Sequence, residues 1–439
     1  MKSKIHNPKF KIVIVGAGPA GASLAIRLKK ANFDVCLIER ERFPRHKLCG
    51  EFVSPECLRH FRDLGVFEQM ISAGGDRIGQ TIFYEPNGKS ISIPSKWFGG
   101  DMQDALSLSR AEMDFRLLEQ AKETGVNVLE ETNVVGVSAE ENEIRGVKIK
   151  SANGETREIF ADLFVDATGR ANVLSKLSER EISREGAKAR SEADSRFKNQ
   201  DSKTENQKPN TKYQIQNPKS KTRNRLVGFK THLKNVNLEK GACEIYFFRG
   251  GYGGLSFVEN TSANHCFLIE ADVVKEFNGD ADKIVEKIIF QNKRARETMQ
   301  NAAPVLDWLA VSVDGFGGKN LHPARNLLTV GDAAAFIDPF TGSGMLMAFE
   351  SAEILAVTIA ENASAPEKIA ANYKILHGQK FQTRLRVCRV LRRAAFVPNL
   401  AKFAISALNL SARARKILAR STRQNFPVAE NNSQTVTKT

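Results

Sequence analysis

Gly16-Ala17-Gly18-Pro19-Ala20-Gly21 constrains this chain more than any other stretch. It follows the apolar, β-branched run Ile12–Val15 and opens a helical pattern through Leu24, Ile26 and Leu28, after which Val35–Ile38 reads as a second buried strand. Each glycine has its own task at such a junction. Gly16 permits the tight turn, Gly18 lets a pyrophosphate approach the backbone, and Gly21 lets helix and strand pack closely. Pro19 and Ala20 sit in the first helical turn, whose free N–H groups and dipole favour an anion. Glu39 closes the second strand 18 residues after Gly21, where a carboxylate can accept hydrogen bonds from an adenosine ribose, and Arg40 joins it in the binding set. The expectation is a βαβ dinucleotide-binding start.

A second motif separates one dinucleotide from another. Leu328-Thr329-Val330-Gly331-Asp332-Ala333-Ala334 is a buried strand ending in Gly-Asp, followed by Asp338-Pro339-Phe340-Thr341-Gly342-Ser343-Gly344 and a helix from Met345. An Asp at a strand tip can bind a ribityl hydroxyl. Glycines at a helix start can offer N–H groups to a flavin's N1–C2=O edge, where positive potential stabilises the reduced, anionic ring. With the middle motif Asp166-Ala167-Thr168-Gly169, the order resembles the flavoprotein fold shared by aromatic hydroxylases, flavin halogenases and geranylgeranyl reductases, over about residues 11–356. That resemblance implies an α/β fold: a Rossmann-like FAD-binding domain, an inserted antiparallel-sheet substrate domain and a C-terminal helical tail. It implies FAD as cofactor, with Arg110 reaching the pyrophosphate. Gly331, Asp332, Pro339, Gly342, Ser343, Gly344 and Met345 then lie along the ribityl chain and ring. Asp166 and Gly169 match a motif near the pyrophosphate and the nicotinamide approach, although a plain strand-end turn explains them equally well.

The third motif, Arg42-Phe43-Pro44-Arg45-His46-Lys47-Leu48-Cys49-Gly50-Glu51 with Ser54-Pro55, resembles the F-P-R-x-K-x-C-G segment of geranylgeranyl reductase-like proteins. In that family it runs beside the flavin. Arg45 and Lys47 can hold phosphate or the pyrimidine ring, and Cys49 beside Gly50 permits close approach of a ring; a small Cys is also ordinary packing. His46 reads as exposed, and no residue is singled out as catalytic or as a metal ligand. Two departures matter. Where isoprenoid reductases carry Y-x-W-x-F-P, this chain has Gly251-Tyr252-Gly253-Gly254-Leu255-Ser256-Phe257-Val258, and its two tryptophans, Trp97 and Trp308, do not form the W-x-W-x-I-P signature of halogenases. A single GxGxxG leaves NAD(P)H to dock transiently, or another donor to reduce the flavin.

Periodicity divides the chain into FAD-binding segments at 9–75, 101–180 and 300–360 and substrate-domain segments at 76–100 and 226–299. Thr81–Pro94 reads as a hairpin around Pro86-Asn87-Gly88, Ser109–Gly125 as a helix, Asn127–Phe164 as three or four strands, Leu226–Glu270 as further strands and Ala281–Asn292 as a helix. Residues 187–225 are polar and of low complexity, which predicts a disordered insertion. Basic helices are expected over 361–425 and a disordered end over 426–439.

The net charge of +15 is unevenly placed. Gly186–Arg225 carries +7 and Lys374–Arg423 carries +13 without one acidic residue, so the rest of the chain is at −5. Basicity belongs to an insertion and a tail, and no base-reading motif accompanies it, which argues against nucleic acid. The tail's arginines interleaved with apolar residues fit peripheral contact with an anionic membrane, or a helix packed on the protein with solvated arginines. Six scattered cysteines, no signal sequence and no long apolar run place the protein in the cytoplasm. The sum is an FAD-dependent oxidoreductase that delivers hydride to a C=C of a hydrophobic, isoprenoid or quinone-like substrate. Hydroxylation of an aromatic or polyketide-like ring with NAD(P)H and O2 is the alternative, and a prenyl-protein chaperone of the same fold without redox activity is a third reading.

Overall fold

Strand β1 (Lys9–Val15) is the middle of the nucleotide sheet, and its four residues Ile12–Val15 are buried on both faces, as a parallel sheet covered by helices requires. The computed structural model describes residues 9–100, 102–198, 225–395, 408–409 and 411–423. Helix α1 (Pro19–Lys30) carries the chain to β2 (Val35–Ile38), which pairs parallel to β1 with Val15 opposite Ile38. On the other side of β1 runs Thr156–Asp166, also parallel, with Val15 opposite Asp166. Leu327–Thr329 extends this arrangement, Thr329 lying opposite Asp166. The Gly-rich turn, Glu39, Asp166 and Gly331-Asp332 therefore all leave the sheet at one carboxyl edge, where open α/β sheets bind their ligands.

The seven-stranded sheet is completed by Asn127–Leu129 beside β2 and by the antiparallel strands Glu143–Ser151 and Thr132–Glu140. Helices α1, Arg110–Glu123 and Gly344–Glu361 pack together on one face. Met345 through Ala352 are all buried, so the last of these is apolar nearly all round over its first turns. Leu24, Leu28, Leu117, Leu118, Phe349 and Leu355 form the interior, each side chain contributing about 1.5–3 kcal/mol of burial.

An eight-stranded sheet holds the second half of the fold. Its outer face, with Phe229, Phe267 and Ile269, is covered by Ile284, Ile288 and Met299, and Trp308 meets Phe229 and Phe267 edge-on. Its inner face, with Gly228, Lys230 and His232 alternating along Leu226–Lys234, receives the Arg45–Glu51 segment of the nucleotide fold.

The hairpin, the Ser109-capped helix and the strand series follow the sequence pattern. Three boundaries differ. The helix expected over Ala281–Asn292 ends at Lys287, because Asn292 caps a new helix, Lys293–Met299, accepting from Ala295 N at 3.1 Å. Helix Val173–Lys198 runs into the stretch expected to be disordered from 187: its Ala, Arg, Glu and Lys are good helix formers. Residues 199–224 and 426–439 lie outside the described residues. The substrate sheet also passes the boundary at 299, since Ala303–Pro304 and Leu309–Val313 pair with Leu226–Lys234.

Candidate flavin site

The Gly-rich turn is shaped by what a Cβ would strike. Gly16 has φ +101°, and a Cβ there would lie 2.5 Å from the Ala167 carbonyl oxygen; at Gly21 it would lie 1.9 Å from that of Gly16. Gly18 has room, its nearest neighbour being Arg110 Nη2 at 3.7 Å. Two glycines thus close the turn and the third opens it toward a cation. Helix α1 has Gly18 at its N-cap, Pro19 in its first turn and no capping side chain, so its N–H groups remain turned outward for an anion. Glu39, buried, accepts from Ala17 N at 2.8 Å and from Glu41 N at 3.1 Å. Its carboxylate holds the turn in place. Arg40, the next residue, is exposed and paired with Glu41 at 3.0 Å.

Opposite the turn stands a cluster of three cations. Arg110 opens the helix capped by Ser109 and donates twice to Asp114, from Nε at 2.7 Å and Nη2 at 2.6 Å. Arg45 reaches the same carboxylate at 2.9 Å and lies over the Phe43 ring at 4.4 Å. Lys47 is exposed along its length, but protein crowds its charged end. That loss of solvent pushes the ammonium down to about 8, and Arg110 and Arg45 add repulsion while Asp114 and Glu39 oppose it. Three cations against two carboxylates, Asp114 and Glu39, the latter 3.9 Å from Arg45 Nη2, leave an excess of positive charge facing the Gly-rich turn. An incoming pyrophosphate meets that need.

The late motif closes the cleft. Gly331 has φ +63°, and a Cβ there would lie 2.7 Å from Ala20 Cβ, so helix α1 and the Gly-Asp turn touch. Half-buried Asp332 follows; burial raises its carboxyl, and Lys47, Arg170, Arg110 and Lys319 draw it back. Asp338 caps the next turn, accepting from Phe340 N at 2.9 Å and from Tyr252 OH at 2.6 Å. Pro339–Thr341 form that turn, Gly342 takes φ +61°, and Ser343 precedes a helix beginning at Gly344 and Met345 with no capping side chain. Its first-turn N–H groups form a second outward-facing helix start.

The middle motif is structural. Asp166 Oδ1 accepts from Thr168 N and Oγ1 at 3.0 and 2.6 Å, and Oδ2 accepts from Ser175 N and Oγ at 2.9 and 2.7 Å. With four donors and complete burial, Asp166 serves the strand-end turn and offers nothing to a ligand, which corrects the cofactor role expected of it. Gly169 has φ +71°, and a Cβ there would meet open space. Conformation, not close approach, selects the glycine.

Cys49 is half-buried beside the Arg110 side chain. Its backbone oxygen accepts from Asn264 Nδ2 of the substrate sheet at 3.2 Å. Glu51 is the residue that sequence reasoning quoted without using. Fully buried at φ +55°, it accepts from Arg110 N at 2.7 Å, meets His232 Nε2 at 2.8 Å and forms an ion pair with Lys230, which also donates to Lys47 O at 3.1 Å. Burial opposes its charge, but Lys230 and His232 hold the carboxyl below its ordinary range. Exposed His46 meets His232 edge-on with centroids 5.3 Å apart. Lys230 and His232 carried no sequence signal except alternation with Phe229 and Thr231, which fixes their face but not their partner.

A cradle emptied by glycines, two uncapped helix starts, three cations and a half-buried Asp fit the phosphates and polyol of FAD. Comparison with known proteins agrees. A model of an FAD binding domain matches residues 9–375. The chain is 24% identical over 395 residues to a digeranylgeranylglycerophospholipid reductase of Methanosarcina mazei, spanning 85% of this chain and 81% of that one. It is 30% identical over 183 residues to a flavin-dependent halogenase of Armillaria mellea, spanning 39% of this chain and 34% of the relative. The solved structure of a geranylgeranyl bacteriochlorophyll reductase-like protein of Thermoplasma acidophilum superposes with a TM-score of 0.69 at 17% identity, covering 94% of this chain and 96% of the other. The chain belongs to the FAD binding domain family and is an FAD-dependent oxidoreductase.

Proposed function

We propose that this oxidoreductase reduces a C=C bond of a hydrophobic, isoprenoid- or quinone-like molecule with electrons from NAD(P)H. An apolar wall against the flavin loop carries the reading. Phe340, within that loop, meets Tyr252, Phe247 and Phe83 of the substrate sheet at centroid distances of 5.2, 5.8 and 5.7 Å. Ile91, Leu268, Val313 and Phe336 complete the cluster. These side chains are buried against one another and make the ground beneath the loop dry and apolar, which suits an uncharged substrate better than a charged one. The alignment with the archaeal reductase, long in both chains, supports the same class.

Bound FAD supplies the hydride chemistry. The protein's part is to bind and orient. Arg110 and the start of α1 would hold the pyrophosphate, with Arg45 and Lys47 beside them. Asp332 would accept from a ribityl hydroxyl. The Gly342–Met345 turn offers N–H groups to the ring's pyrimidine edge, and the aromatic wall keeps water from the reacting face. A cavity of about 290 Å³ beside the middle motif is lined by Arg170, Lys176 and Lys319 against Glu179 and Asp314, a net single positive charge for the phosphates of the donor.

Gly254, standing where isoprenoid reductases carry Trp, weighs against a prenyl pocket, and the second reading is one in which O2 is consumed and a ring is hydroxylated. Chemically reduced protein mixed anaerobically with prenylated quinones or diphosphates separates the two. Saturated product without O2 supports the reductase; turnover that requires O2 and incorporates its label supports hydroxylation.

Peripheral membrane contact is part of the proposal. Arg386, Arg389, Arg413, Lys416 and Arg420 are exposed, with Val390 and Ile417 at 67% and 62% exposure among them. None of the described helices is long and apolar enough to cross a membrane.

A further inference from the structure

The basic tail does more than present charge to solvent. Helix Ala412–Ser421 lies beyond residue 375, where the family match ends, yet the residues that follow it touch the flavin loop. Arg423 Nη2 donates to the Thr341 oxygen at 2.8 Å, and Ser343 Oγ donates to the Thr422 oxygen at 3.4 Å. A Cβ on Gly342 would lie 3.4 Å from the same Arg423 nitrogen. On its far side Arg423 pairs with Glu56 at 3.3 Å and covers the Phe98 ring at 4.1 Å. Its backbone oxygen accepts from Arg384 Nη2 at 3.3 Å. Arg384 in turn pairs with Glu350, on the helix that begins at Gly344, at 2.7 Å. Arg423 and Arg384 are 3% and 2% exposed.

Burying a guanidinium costs several kcal/mol unless its partners are well placed, and an apolar side chain would anchor a helix without that cost. What Arg423 provides that an apolar residue does not is a hydrogen bond to the loop's backbone and, behind it, the positive end of the buried Arg423–Glu56 pair. We propose that Arg423 is a positioning residue of the flavin site, which holds the Thr341–Ser343 turn and biases the cofactor toward its reduced, anionic form. This rests on assigning the Pro339–Met345 loop to the flavin's pyrimidine edge. Positive potential there stabilises the electrons that the ring accepts.

The test uses FAD-loaded, full-length protein. Arg423→Met is combined with Glu56→Gln, so that no unpaired carboxylate stays buried, and is compared with Glu56→Gln alone and with Arg423→Lys. Midpoint potential, flavin absorption spectrum and melting temperature are read for each. The double variant is expected to shift the reduced-to-oxidised equilibrium about tenfold toward oxidised, about 30 mV for two electrons, with FAD still bound. Arg423→Lys, the mildest change, is expected to keep most of the wild-type potential. Glu56→Gln alone, which leaves Arg423 in place without its carboxylate, is expected to raise the potential, and it serves as the reading if the double variant does not fold. A lower melting temperature with unchanged potential and spectrum in every variant overturns the proposal and leaves Arg423 a staple for the tail. Gly342→Ala, which strains φ +61°, separates the two levels. If it too leaves potential and spectrum untouched, the loop assignment has failed; if it alone moves them, only the role of Arg423 has.

Discussion

Arg110 and Asp114 face each other across one helical turn, and the carboxylate that holds Arg110 through two hydrogen bonds also holds Arg45 from another segment. Removing one partner of a buried pair leaves the others uncompensated. Asp114→Ala should therefore destabilise the fold by about 3–5 kcal/mol in denaturant melts. It should also weaken FAD binding about tenfold or more in a flavin titration, since both guanidinium groups lose their aim. Asp114→Asn should fall between the two proteins in both measurements.

Gly18 and Gly21 should respond to alanine in opposite ways. A Cβ at Gly18 meets nothing closer than 3.7 Å, whereas at Gly21 it meets backbone at 1.9 Å. Gly18→Ala is expected to melt within a few degrees of wild type yet bind FAD more weakly. Gly21→Ala is expected to lose stability itself, by about 3 kcal/mol or more, because turn and helix must separate.

Lys47 gives the cofactor site a pH dependence. Crowding at its charged end and the neighbouring Arg110 and Arg45 push its ammonium down from the ordinary 10.5 to about 8. Between those values the unfolded chain binds a proton that the folded protein has released, so the contribution of Lys47 to stability rises with pH across that window. FAD binding runs the other way, because the anion favours the protonated form. Titrations from about pH 6.5 to about 9.5 should show affinity falling above about pH 8. Lys47→Arg should abolish that inflection, and Lys47→Met should bind weakly throughout.

Glu51 sets the acid limit. Its carboxyl is held below the ordinary 4.5, so the stability it contributes is present above that pH and is lost as pH falls through the lower, folded value. Glu51→Gln should be destabilised at neutral pH, with Lys230 buried unpaired, and its acid unfolding limb should be shallower than that of wild type by circular dichroism.

Deleting the tail is a poor test of membrane contact, because Phe381, Arg384 and Arg423 belong to the interior. Reversing Arg386, Arg389, Arg413 and Lys416 to Glu leaves that interior alone. Wild type should sediment with vesicles rich in anionic lipid and release at high salt, and the reversed protein should stay in the supernatant whatever the lipid.

The glycine turns of the candidate site were legible in the sequence because each is local: a strand, a glycine at a stated offset and a helix start lie within a dozen residues. Gly16, Gly21, Gly331 and Gly342 stand where such spacing puts them. What escaped was long-range. Glu51 was visible, but its partners Lys230 and His232 lie some 180 residues away, and only a folded sheet brings that face against it. Asp114 had an (i, i+4) Arg before it, a cue to pairing but not to its second guanidinium. Asp166 went the other way, since its motif position suggested a ligand while nearby Thr168 and Ser175 had already claimed both oxygens. The tail's charge was plain from composition. Which of its arginines turn inward was not.

Thr156–Asp166 has a bearing on how the molecule is made. One edge of this strand is served early, by β1, but the end of its other edge waits for Leu327–Thr329. During synthesis that hydrogen-bonding edge stays open until residue 329 has left the ribosome, while six of the eight strands of the second sheet emerge in between. The nucleotide half is therefore begun first and finished near last. Exposed strand edge over that interval is a template for wrong pairing, so slow translation or missing chaperones should harm the yield of this protein more than its final stability would suggest.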